Sequence, residues 1–221
     1  MLKVSQVSRR NHNKEQQVMQ EYHEVQWRIF HTLGCLLEKT NLDSISTKQL
    51  CEESHVSRQT FYRYFHDKYS VVNWHFDLLA EDTLLQIGRT LTWLQAHIKL
   101  FAELYKERSV YVYAAHSEDY NAIGKYAYRR SRDIYTGTLT NYIKLSPTKA
   151  LLFQIDAAAL LTSQCMFIWG EKGMREPPEE LAALMDTVLP PELKGIFDHN
   201  LPSPGLSHNP LTKIEMCQRA H

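Results

Sequence analysis

Apolar positions recur at steps of three and four along most of this chain, the period of a helix packed on one side. Between Glu21 and Lys39 the stripe is Trp27, Phe30, Leu33 and Leu37, which predicts an amphipathic helix. Two shorter helical patterns follow between Ile45 and Val72, parted by a tight polar break. Ser46 is placed to cap the first, and Gln49 is placed to return a bond to the cap, so that two orphan N–H groups would be satisfied together. Leu50 faces inward, Glu52, Glu53 and Ser54 are polar, and the chain must turn at His55. Ser57 can cap the restarted helix, and behind it Phe61 and Phe65, four apart, set two rings on one buried face. The opposite face carries Gln59, Tyr62 and Arg63, flanked by Arg58, Thr60 and Tyr64, a dense set of donors, acceptors and flat rings for one short helix.

Asp67 then caps a long helix with Val71, Trp74, Leu78 and Leu85 on a broad face and no Gly or Pro before Gly88, so its joint to the second half of the chain is expected to be rigid. From Thr90 to Asn141 further helical patterns carry Trp93, Leu94, Ile98, Phe101 and Tyr105, then Tyr120, Tyr126, Tyr128, Tyr135 and Tyr142. Each tyrosine buries a ring but needs a partner for its hydroxyl, so such a set either sits at half-buried margins or lines a semi-polar pocket. Margins are expected for most, with Tyr105, Tyr113 and Tyr126 as the candidate pocket. Tyr126, Tyr128, Arg129, Arg130 and Arg132 read as a solvated helix face with paired charges rather than an RNA or anion site. Ser146-Pro147 reads as a helix start with Pro147 at the first helical position. The helix after it, Leu151 to Trp169, is apolar on nearly all sides, more than one side of a small domain can cover, which implies a partner helix. Pro177-Pro178 opens a further helix to about Val188, and Pro190-Pro191 closes it.

The stretch ISTKQLCEESHVSRQTFYRYFHDKYSVV, Ile45 to Val72, is a helix-turn-helix pattern, and it resembles the DNA-binding domain of the TetR family of bacterial transcription regulators. The matching residues are Val56, Ser57, Phe61, Tyr62, Phe65 and Lys68. The turn position that is usually Gly in that family is His55 here. The run Asp67, Lys68, Tyr69, Trp74 and Phe76 is similar to the subgroup that includes the activator of dihydroxyacetone kinase operons. The resemblance implies an all-α fold with an N-terminal three-helix DNA-binding domain and a C-terminal helical dimerisation and effector domain. It also implies a regulator, with repression the expected mode, that binds a double-stranded pseudo-palindromic operator as a homodimer and answers to a small-molecule or protein effector. Thr47, Ser57 and Lys68 are then expected to hold phosphates, with Arg58, Gln59, Thr60, Tyr62, Arg63 and Tyr64 toward the groove. The dimer interface is expected on Ile155, Ala158, Leu161, Thr162, Cys165 and Trp169, against the alternative of a central helix buried within one protomer.

Length and composition change little in this picture. With 221 residues, 43% hydrophobic and 23% charged, the chain can bury a sizeable core. The formal net charge of +0 argues against non-specific coating of nucleic acid and leaves room for a local basic face. Lys3, Arg9, Arg10 and Lys14 make residues 1–20 a basic mobile arm, either a frayed terminus or a DNA contact. A helix-turn-helix domain over 21–72, a helical domain over 73–198 and a disordered tail over 199–221 complete the expected division. No signal-peptide pattern and no apolar run near the length of a membrane span is evident, so the expected location is the cytoplasm with no membrane. Cys35, Cys51, Cys165 and Cys217 form no metal-like pair, and buried reduced thiols are expected rather than a Cys35–Cys51 redox switch. None of the motifs H-E-x-x-H, G-x-S-x-G, G-x-x-x-x-G-K-[ST] or G-x-G-x-x-G occurs among the eleven histidines, the carboxylates and eight glycines, so neither an enzyme nor a cofactor is expected.

Overall fold

A computed structural model describes residues 23–119 and 121–199. The arm expected over 1–20, Tyr120 and, after the backbone of His199, the tail lie outside the described residues. Within them the regular structure is helical, with one isolated bridge between Ile87 and Leu91. The helices are α1 (residues 23–37), α2 (Thr47–Glu53), α3 (Arg58–Tyr64), α4 (Lys68–Asp82), α5 (Trp93–Lys106), α6 (Arg108–Ala114), α7 (Ile123–Gly137), α8 (Lys149–Glu171), α9 (Pro178–Asp186) and α10 (Pro191–His199).

The first three helices close around Phe30, Leu33, Leu37, Leu50 and Phe61, each at most 1% exposed. Burying side chains of this size contributes about 1.5–3 kcal/mol each, which is what holds two seven-residue helices too short to persist alone. α4 starts on a reciprocal capping box in which Asp67 Oδ1 accepts from the Ser70 N–H at 2.7 Å and Ser70 Oγ accepts from the Asp67 N–H at 3.1 Å. It buries Val71, Val72, His75, Phe76 and Ala80 and joins the head to the rest of the chain. Rings from both sides meet there: Trp27 lies 5.4 Å from Trp74, Phe30 stacks on His75 at 4.2 Å, and His75 Nδ1 bonds the buried Tyr111 hydroxyl at 2.9 Å.

The C-terminal half is a helical layer built on α5, α7 and α8. His97 ties all three together: its Nδ1 donates to the Trp93 carbonyl at 2.9 Å, and its Nε2 faces the hydroxyls of Tyr135 and Thr162, both at 3.1 Å. Thr162 in turn donates to the Ala158 carbonyl at 3.0 Å, so this fully buried network is satisfied throughout.

Several expectations need correction here. α8 begins two residues later than Pro147, because Thr148 is the cap, its Oγ1 accepting from the Leu151 N–H at 3.1 Å. α9 stops at Asp186, before Pro190-Pro191 is reached, and Pro191 opens α10, a helix not expected from the sequence. α8 is, by length and composition, apolar enough to cross a membrane, although much of its surface is packed inside this fold. Within it Ile155, Ala158, Thr162 and Trp169 are at most 2% exposed and belong to the protomer's own core, with Leu161 and Cys165 half-buried. The exposed stripe is instead Phe153, Leu160 and Ile168, at 74%, 48% and 45%. A helix apolar all round carries no periodic mark of which side faces inward. Cys35 is exposed rather than buried, and Cys51 is buried.

Candidate nucleic-acid interface

Ser46 Oγ accepts from the Gln49 N–H at 3.1 Å, which sets the start of α2. Gln49 returns no bond, so the reciprocal arrangement expected there is only half formed. The buried Ser54 closes the helix by donating to the Leu50 carbonyl at 2.6 Å, and His55 takes φ 54°, the left-handed conformation that usually falls to Gly. Ser57 then caps α3, its Oγ accepting from the Thr60 N–H at 3.0 Å.

With Phe61 and Phe65 buried, α3 turns Arg58, Gln59, Tyr62 and Arg63 outward, Tyr62 being 56% exposed. Thr60 and Tyr64 are half-buried at the margins, and Thr47 is half-buried at the start of α2. Between α2 and α3 lies a groove lined by Lys48, Cys51, Glu52, Val56 and Arg58. Gln59, Tyr62 and Arg63 at i, i+3 and i+4 therefore form one protruding edge of the kind that a major groove admits.

Lys68, expected to hold a phosphate, is engaged within the protein. Its ammonium donates to the carbonyls of Asp43 and Ile45 at 2.6 and 2.7 Å, and it lies 5.1 Å from the centre of the Tyr69 ring. Burial pulls its pKa down, against the opposing pull of Asp43. The side chain is a clamp that fastens the segment before α2 to the start of α4.

Asp43 is a junction that no local pattern signals. Its Oδ1 accepts from the Tyr69 hydroxyl at 2.9 Å and from Ser117 Oγ at 2.6 Å, the latter from the turn after α6. The same turn reaches α4 twice more, with Asn121 Nδ2 donating to Asp67 Oδ2 at 3.2 Å and Asn73 Nδ2 donating to the Asn121 carbonyl at 2.9 Å. The partners are 26 to 74 residues apart in sequence, so these polar contacts become visible only in the fold.

The candidate pocket tyrosines do not converge. Tyr105 stacks on Trp169 at 6.1 Å, Tyr113 is exposed, and Tyr126 donates to Asp77 Oδ2 at 2.5 Å. Of the basic aromatic cluster, Arg130 pairs with Asp77 at 2.7 Å and Arg132 pairs with Asp156, which is the paired-charge arrangement expected.

Residues 43–68 match the family model of the helix-turn-helix domain of resolvase. A search of curated proteins finds no match to the sequence. Among solved structures the fold is similar to that of the dihydroxyacetone kinase operon activator DhaS, with 15% identity, a TM-score of 0.53, and coverage of 77% of this chain and 96% of that one. A tetR-family transcriptional regulator from Streptomyces coelicolor aligns with 14% identity over 80% of this chain and 84% of its own, at a TM-score of 0.48. The TetR family repressor AlkX from Dietzia sp. aligns with 14% identity over 77% and 98%, at 0.47.

Proposed function

We propose that this chain is a TetR-like, sequence-specific DNA-binding transcription regulator, not an enzyme, that binds a pseudo-palindromic operator as a homodimer and represses by occupying it. The observation that carries this is the outward edge Gln59, Tyr62 and Arg63 on a capped helix seated over buried Phe61 and Phe65. The family-model match over the same stretch and the fold shared with DhaS support it. Thr47 and Ser57 hold phosphates in this reading, and Arg58, Gln59, Thr60, Tyr62, Arg63 and Tyr64 meet the groove and its edges.

One short helix spans too few base pairs for useful specificity, so two copies are needed, their recognition helices about one DNA turn apart, about 34–36 Å. The face that joins them is the exposed stripe of α8, Phe153, Leu160 and Ile168, with Leu184 of α9 and Val188 in the turn after it also exposed, 59% and 63%. A second reading has the same apolar face in its favour: a helical activator or interaction protein that docks a different protein there. A binding map of the purified protein on genomic DNA tests the DNA reading. Gln59→Ala and Arg63→Ala are expected to lose about 1–3 kcal/mol on the operator and much less on random DNA. Equal losses on both would overturn the groove assignment.

A further inference from the structure

The turn after α6 holds one carboxylate ahead of α2 and another ahead of α4. Ser117 Oγ donates to Asp43 Oδ1 at 2.6 Å, and Asn121 Nδ2 donates to Asp67 Oδ2 at 3.2 Å. Asp67 caps α4 and moves with it, so its bond follows a helix that already runs on into the second half of the chain. Asp43 is placed differently. It lies in the single turn of 3-10 helix Leu42–Ser44, four residues before α2 opens at Thr47, and α3 packs on α2. Its carbonyl accepts from the Lys68 ammonium at 2.6 Å, and its carboxylate also takes the Tyr69 hydroxyl at 2.9 Å. Asp43 is thus bonded to the start of α4 on one side and to the turn after α6 on the other.

Elsewhere the first helix and α4 meet α6 largely through apolar groups and rings. A Cβ at Gly34 would stand 3.2 Å from Val110 Cγ2, and Phe30 stacks on His75, whose ring centre lies 5.8 Å from that of Tyr111. Such contacts are non-directional and hold a separation better than an angle. A hydrogen bond is directional, so the Ser117 bond supplies an angular restraint just ahead of α2. Its share in stability is small: Asp43 is exposed, and water replaces the lost hydroxyl there at little cost.

We infer that Asp43 is a positioning residue: through Ser117 it sets the angle at which α2 and α3 stand against the C-terminal half. Its consequence for DNA rests on the regulator reading proposed above. Two recognition helices about 34–36 Å apart match their half-sites only while each keeps its angle, so this bond tunes the spacing that the dimer accepts.

The test uses the full chain. Nitroxide labels are attached by azide chemistry, which leaves the cysteines untouched, at Glu53 of α2 and Lys106 of α5, both exposed. Labelled chain is diluted in unlabelled chain, so that pulsed electron spin resonance reads distances within one chain. One narrow distance is expected for the wild type and for Asp43→Asn, which keeps the acceptor oxygen. Ser117→Ala and Asp43→Ala are expected to broaden it, with the melting temperature of Ser117→Ala almost unchanged. A Ser117→Ala distribution as narrow as that of the wild type overturns the assignment. So does broadening that comes only with a large fall in melting temperature, which marks a folding role. The DNA arm measures affinity for the operator, for versions with one or two base pairs added between the half-sites, and for a single half-site. Ser117→Ala is expected to lose its preference for the native spacing several-fold and to keep wild-type affinity for the half-site; an unchanged preference overturns the link to spacing. A wild type that binds no DNA removes the regulator reading, and the distances alone then decide the role of Asp43.

Discussion

His55 occupies a left-handed turn, φ 54°, that Gly would adopt freely. A non-Gly residue held there costs of order 1–3 kcal/mol, and the extra chain entropy of Gly takes back part of any gain. His55→Gly is therefore expected to raise stability by about 1 kcal/mol, read as a higher urea midpoint with unchanged slope. Two other histidines govern the response to pH. Burial holds His75 and His97 at about 4, below their ordinary 6.5, with nearby His31 lowering His75 further and Glu103 opposing. The unfolded chain thus takes up these protons first. Their contribution is complete above about 6.5 and is lost as pH falls toward about 4, by up to about 1.4 kcal/mol per pH unit for each ring. A urea series between pH 7 and 4 checks this, and His97→Gln should flatten part of the fall; a flat wild-type profile would contradict it.

At the scale of elements, the head is held by caps and by one clamp. Ser46, Ser57 and Asp67 set where α2, α3 and α4 begin, and all three were legible as residue types ahead of a helical pattern. Lys68 was legible as a charge but not in its task, because its partners are carbonyls 23 and 25 residues away. Lys68→Ala is expected to lower the melting temperature of the DNA-free protein, through a loss of about 1–3 kcal/mol as those carbonyls lose their donor. Its effect on DNA affinity should then follow as a uniform loss across sequences. A variant with unchanged melting that binds DNA more weakly would return Lys68 to the phosphate role.

For the whole molecule the decisive matter is which side of α8 meets the core. Ala158 is 1% exposed and Leu160 is 48% exposed, two positions apart on one helix. A carboxylate at Ala158 would be buried without a partner and is expected to unfold the protomer, whereas Leu160→Asp is expected to leave helical content intact and split the proposed dimer. Circular dichroism with light scattering at micromolar concentration separates the two outcomes, and a monomeric wild type would remove the dimer. The polar contacts of Asp43, Asp67 and Asn73 with the turn after α6 belong to this scale as well, since they tie the N-terminal helices to the second half of the chain. By itself the sequence determined the helical class, the capped helix-turn-helix and the residues on its outward edge, because caps, turns and a 3.6-residue period act within a few positions. The inward side of α8, the docking of α10, the His97 network and the Asp43 junction were decided only by tertiary structure. Each joins groups far apart in the chain, and a helix that is apolar on every side leaves its orientation to whatever packs against it.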